Sequence, residues 1–190
     1  MAESRAETPP RILDGVTLRH FGAIESLALI DARVVRCYGP RWTEAVRSEI
    51  LAGMDQPECA NVLAAAFLGT PIEIAVGDMA EVFRLRSRLS NPRDDTQLGP
   101  LRNLGEAESI FVADQLHGSF VTDDGPAHDF AVKCLGPNRV LDTVDLLREA
   151  VAKGELEPSE AQQAADAIRN SGRHLRRCHP STFTAAYFTS

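Results

Sequence analysis

No apolar run in this chain approaches the ~20 residues that a membrane span requires. Residues 1–11 lack the apolar centre of a secretory leader, so the expected location is cytoplasmic. No two cysteines are spaced as a metal-binding pair. Cys37, Cys59, Cys134 and Cys178 are far apart, and in a cytosolic chain they are expected as free thiols. His174, Cys178 and His179 form one short group with no second ligand pair beside it, which argues against a structural zinc site. There is no excess of positive charge: 20 basic residues face 27 acidic ones, for a net charge of -7. That balance excludes a surface coated for nonspecific nucleic-acid binding, but not a site where carboxylates gather around a cation. No Asp-x-Asp or Cys-x5-Arg pattern marks a phosphatase nucleophile, and neither an internal repeat nor a low-complexity stretch occurs.

What is present is an ordinary globular composition, 44% hydrophobic and 25% charged, over 190 residues, enough for one domain with a core. Residues 1–10 read as a disordered tail. Short apolar runs then alternate with stretches of helical period. Strands are expected at 11–14, 32–38, 71–76, 119–122 and 139–141. Helices are expected at 16–29, from the cap Thr43 to Gly53, from Pro57 to about 68, and at 78–89, 105–116, 126–135 and 143–152, with a last long helix opened by Glu157-Pro158. Gly39-Pro40 reads as a break, and 90–104 as a loop. Residues 181–190 read as a tail, although Phe183, Tyr187 and Phe188 equip it to pack. The alternation predicts an α/β fold with a parallel sheet covered on both faces. Ligands of such sheets bind at the carboxyl ends of the strands.

The acids fall at those ends. Asp14 follows the first strand, Asp123 and Asp124 follow the strand at 119–122, and Gly105-Glu106-Ala107-Glu108 opens the helix between them. Each has a plain structural reading as well. An Asp between strand and helix caps the helix. A Glu in a first turn complements the helix dipole. Asp123-Asp124-Gly125-Pro126 serves as a turn and a helix start. Taken together, carboxylates collected on one sheet edge are what a hard divalent cation needs. Arginines concentrate in two stretches, Arg84, Arg86, Arg88, Arg93 and Arg102, and Arg169, Arg173, Arg176 and Arg177. Both read first as solvated faces.

The series Ile12-Leu13-Asp14, Val46-x-x-Glu49-Ile50, Gly105-Glu106-Ala107-Glu108-x-Ile110 and Val121-Thr122-Asp123-Asp124 resembles a PIN domain, in the prokaryotic branch with a Gly-Glu-Ala-Glu motif. The resemblance continues through the helix, strand, helix and turn to Ala152-Lys153-Gly154 and a closing helix at 157–177, covering roughly 11–180, with a helical extension from about 155. It implies a three-layer α/β/α domain around a central parallel sheet. The activity it implies is a ribonuclease dependent on Mg²⁺ or Mn²⁺, in many members the toxin of a toxin–antitoxin pair. By position Asp14, Glu49, Glu106 and Asp124 match the catalytic acids. Asp14, Glu106 and Asp124, with Asp123 adjacent, match the metal ligands, and Glu108 is expected to point away. Arg84, Arg86, Arg88 and Arg102 would then contact the RNA backbone. The implied partners are RNA, an antitoxin protein and a second copy of the chain. The alternative is a PIN-like binding module without catalysis. Two departures from the pattern bear on it: Gly15 stands where Ser or Thr is usual, with Thr17 nearby, and two of the acids are glutamates.

Overall fold

The structure is a computed structural model that describes residues 9–24, 39–65, 68–90, 103–177 and 184–189. At its centre lie four short strands, β1 Arg11–Leu13, β2 Pro40–Arg41, β3 Ser119–Val121 and β4 Val140–Leu141, in the order β2-β1-β3-β4. All pairs are parallel, with Leu13 opposite Val121 and Val121 opposite Leu141. Side chains alternate between the two faces of a strand, and here both faces are apolar. Ile12, Phe120 and Val140 enter one buried cluster; Leu13 and Val121 enter another, with Leu141 at its edge.

Helices cover each cluster. Behind Leu13 and Val121 pack α1 Gly15–Gly22, α2 Glu44–Ala52, α3 Pro57–Ala64, α7 Thr143–Ala152 and α8 Pro158–Asn170, through residues such as Phe21, Ile50, Val62, Leu147 and Ile168. Behind Ile12 and Phe120 pack α4 Met79–Leu89, α5 Leu104–Gln115 and α6 Gly125–Leu135, through Val82, Ile110 and Ala131. The chain is therefore mixed α/β and mainly helical, with a small parallel sheet.

Capping explains where several helices begin. Asp14 and Asp142 directly follow β1 and β4, and Asp124 comes shortly after β3; they accept the backbone N–H of Thr17 (2.7 Å), Asp145 (2.9 Å) and Ala127 (2.8 Å), so an acid just beyond each strand starts the next helix. Pro158 occupies the first turn of α8, while Glu157 and Glu160 bond each other's backbone.

The structure corrects four expectations. The break at Gly39-Pro40 is instead the start of β2, where Pro40 is tolerated because the strand lies at the sheet edge. The strand at 71–76 is a single bridge, Thr43 to Ile72, with Ile72 N–H bonded to Trp42 O at 2.8 Å. The helix from Pro57 ends at Ala64, short of 68. The closing helix stops at Asn170, because Gly172 turns left-handed (φ 82°) and sends 173–177 back across the body. The strand expected at 32–38 and residues 25–29 of the helix expected at 16–29 lie outside the described residues, while α1 itself ends at Gly22. Near the carboxyl end, Ala185–Phe188 form a 3-10 turn that buries Phe188 in the core, and Arg148 lies over the Tyr187 ring at 5.4 Å. Among the described residues, no helix is long and apolar enough to cross a membrane.

Candidate functional site

The register of β1 against β3 decides the site. Leu13 lies opposite Val121, so Asp14 and Thr122 leave the sheet side by side at its carboxyl end. Asp14 is buried. Its Oδ1 takes the Thr17 N–H, and its Oδ2 accepts the Thr122 hydroxyl. The Thr122 oxygen in turn accepts the N–H of Asp124 at 3.1 Å, which ties the two acids to one hydroxyl. Burial pushes the Asp14 carboxyl up to about 7, and the charge of Glu106 adds to the rise; hydrogen bonds from Thr122 and Thr17 oppose it.

Glu49 comes from α2 and lies between two glycines. A Cβ placed on Gly105 would stand 2.7 Å from Glu49 Oε1, and one on Gly15 would stand 3.2 Å from Oε2. The carboxylate thus occupies space left open by two missing side chains, at the starts of α1 and α5. The Gly105 N–H donates to Oε1 at 3.3 Å. Burial and then Glu106 push this carboxyl to about 7 as well; the Gly105 N–H and the Arg19 guanidinium offset part of the rise. Glu106, on the first turn of α5, therefore acts electrostatically on both Asp14 and Glu49. Glu108 serves elsewhere. It is buried and accepts the Ala45 N–H at 3.1 Å, bracing the start of α2 beside the cap Thr43.

The pair after β3 divides. Asp124 caps α6 and borders a cleft next to the acidic edge. Asp123 is saturated: Oδ2 accepts the Thr143 hydroxyl and, at 3.2 Å, the Thr143 N–H, while Oδ1 accepts the Arg176 N–H at 3.1 Å. His20 Nδ1 lies 3.2 Å from Oδ2. Burial raises this carboxyl, but the bond and charge of His20 with the Thr143 and Arg176 donors outweigh it and hold Asp123 below the usual carboxylate range. These bonds commit Asp123 to holding the loop after β3, apart from Asp14, Glu49 and Glu106.

The two arginine stretches also separate. Arg173 pairs with Glu58, and Arg177 bonds Asp142 at 2.7 Å and Asp145 at 2.8 Å, so these two fasten the chain after α8, while Arg169 bonds Asp166 at 3.2 Å within α8. In the other, Arg84 pairs with Glu81 at 2.7 Å and Arg88 lies over the Phe130 ring at 5.2 Å, both on α4; Arg86 is on the same helix. Arg93 and Arg102 lie outside the described residues. Sequence reasoning passed over Thr122, Arg19, His20 and Asp142. The last had a readable signal, since Leu141-Asp142 repeats the strand-then-Asp pattern of Leu13-Asp14.

Among the described residues no three His, Cys, Asp or Glu side chains already converge as a metal site. The chemistry of Asp14, Glu49 and Glu106 nonetheless fits a hard divalent cation. All donors are carboxylate oxygens, and the two carboxyls held near 7 are raised by burial and by a neighbouring like charge. Comparison with family models, with curated proteins and with solved structures finds no match for this chain.

Proposed function

We propose that the chain is a three-layer, PIN-like hydrolase that cleaves RNA phosphodiester bonds with Mg²⁺ or Mn²⁺. The observation that carries this reading is the lodging of Glu49 against Gly15 and Gly105, within the field of Glu106, whose charge also reaches Asp14. Asp14, Glu49 and Glu106 come from three separate parts of the chain, Glu106 raises both of the others, and Asp14 stands at the carboxyl end of a parallel sheet, where such folds bind ligands.

Asp14, Glu49 and Glu106 would hold the cation, with Asp124 at the border of the site. A bound divalent ion supplies charge to the phosphate as it reacts and lowers the pKa of its water. The side chains provide the rest. Thr122 and the Thr17 N–H fix the Asp14 carboxyl, leaving it no freedom to be lost on binding. Glu49, with its proton held to about 7, can take up or release a proton at neutral pH. The basic faces of α4 and the residues that follow it are the proposed contact for the RNA backbone. A small protein presenting a basic arm to the acidic edge is the proposed inhibitor.

The test is cleavage of single-stranded RNA with Mg²⁺ or Mn²⁺, read beside calorimetry with Mn²⁺. Metal binding and cleavage that both vanish in Asp14→Asn support the proposal. Cleavage unchanged in that variant sinks it. RNA binding with neither metal uptake nor cleavage establishes the other reading, a PIN-like binding module, which the lack of a converged metal site among the described residues favours.

A further inference from the structure

Gly15, Arg19 and Gly22 follow one another on α1 at spacings of four and three residues, so they share one face of that helix. Both glycines mark close approaches. A Cβ on Gly15 would stand 3.2 Å from Glu49 Oε2, and one on Gly22 would run into the Glu58 carbonyl at the start of α3. Asn61 of α3 also donates to Gly22 O at 2.9 Å. The face therefore meets a site acid at one end and α3 at the other, with Arg19 between them. In keeping with that place, the positive charge of Arg19 acts on both Glu49 and Glu58.

Neither acid is committed to it. Glu58 already pairs with Arg173, and Glu49 Oε1 takes the Gly105 N–H. Arg19 is partly buried, and its Nε is buried with no hydrogen-bond partner among the described residues. A buried donor left unpaired costs roughly 1–3 kcal/mol, so the guanidinium gains from any acceptor that reaches it. Other arginines are already occupied within the fold: Arg84 by Glu81, Arg88 by the Phe130 ring and Arg177 by Asp142 and Asp145.

We infer that Arg19 binds a backbone phosphate of an RNA strand beside Glu49, its guanidinium donating to a non-bridging oxygen. The inference rests on the reading that Asp14, Glu49 and Glu106 serve RNA, and it names the side chain that receives the phosphate there. Carboxylates repel an anion, so a phosphate brought to this edge needs a fixed positive group. A guanidinium is charged at any working pH, and its planar fork of donors matches phosphate oxygens.

The test uses the intact chain and a dye-labelled single-stranded hexaribonucleotide in Ca²⁺, with affinity read by fluorescence anisotropy over a salt series. Mn²⁺ calorimetry is run on the same proteins. Arg19→Gln should weaken RNA binding roughly tenfold, the fold-change of one hydrogen bond to a charged oxygen. It should also lower the slope of log affinity against log salt by about 0.7, the share of one phosphate contact on a single strand. Mn²⁺ should bind that variant at least as tightly, because a positive charge beside Glu49 is gone. Arg19→Lys should keep the slope and regain part of the affinity, since it keeps the charge without the fork. If Arg19→Gln does not fold, Arg19→Lys decides: weaker binding at an unchanged slope supports the inference, and wild-type affinity overturns it. Mn²⁺ uptake lost together with RNA binding in Arg19→Gln assigns the arginine to the framework and overturns the inference. Wild-type affinity and slope in Arg19→Gln overturn the inference alone, while the hydrolytic reading stands if the wild type takes up Mn²⁺ and cuts RNA. A wild type that binds no RNA overturns both.

Discussion

Two groups of carboxylates share the carboxyl end of the sheet and meet different surroundings. Asp123 is answered by His20, Thr143 and the Arg176 N–H, and Asp142 and Asp145 share the Arg177 guanidinium, although burial and Asp145 still push Asp142 up to about 6. Asp14 and Glu49 receive a few hydrogen bonds and, at Glu49, the partial offset of Arg19, and the charge of Glu106 pushes both up. Sequence alone presents both as Asp or Glu after an apolar run. Acidic clusters differ by the supply of partners, and a cluster left short of positive charge is the one suited to recruit it from solution.

The largest expected effect falls on the short-supplied group. Asp14→Asn and Glu49→Gln should each lower metal-dependent RNA cleavage by roughly 10³-fold, measured as initial rate at fixed Mn²⁺. The chain should stay folded, because both replacements keep the shape and one acceptor oxygen, for the Thr17 N–H in one and the Gly105 N–H in the other. Equal activity in both variants would dissolve the distinction between the two groups.

Next comes the answered group. Asp142 is fully buried, caps α7 and pairs with Arg177. Asp142→Ala should cost about 2 kcal/mol, read as a fall in denaturation midpoint, because it removes a cap and one of the two carboxylates that Arg177 pairs with. Metal-dependent cleavage per folded molecule should be preserved.

A smaller effect is the pH dependence of stability. Asp14 and Glu49 hold their protons up to about 7 in the folded chain, against ordinary values of 3.8 and 4.5. Between about pH 4 and 7 the folded state therefore binds more protons than the unfolded one, so stability is fullest below that window and falls as pH rises through it. In EDTA the loss should show as a fall in Tm across that window. Saturating Mn²⁺ should flatten the slope, and Glu49→Gln should remove its share. A slope of the opposite sign would mean that these acids are as well answered as Asp123.

The smallest effect separates the two glutamates of Gly105-Glu106-Ala107-Glu108. Glu108→Gln keeps a carbonyl acceptor for the Ala45 N–H and should change stability by less than about 1 kcal/mol with cleavage unaltered, whereas Glu106→Gln should impair cleavage.

Much of this was legible in the sequence for reasons that can be named. The apolar pairs Ile12-Leu13 and Phe120-Val121 mark strands of a parallel sheet and put Asp14 and Asp123-Asp124 on one edge; that Asp14 and Thr122 stand side by side follows from the register of β1 against β3. Glu49 was reachable only through the resemblance, since one Glu on a helix carries no mark of what it faces. The strand at 71–76 misled because Ile72 and Ile74 have the right residue type, but only Ile72 makes a bridge, to Thr43. The late arginines were read as a solvated face. Their pairing with Glu58, Asp142 and Asp145 depends on the turn at Gly172, and no local pattern announces such long-range partners.

The space around Glu49 has one more consequence. Gly15 and Gly105 carry no chemistry, yet between them they set where that carboxylate rests. The obstacle to a methyl group at position 105 is the tip of a flexible side chain, so Gly105→Ala should leave the fold standing and swing Glu49 aside. The chain would keep every acid it has and lose their arrangement, making this smallest of substitutions a steric off-switch.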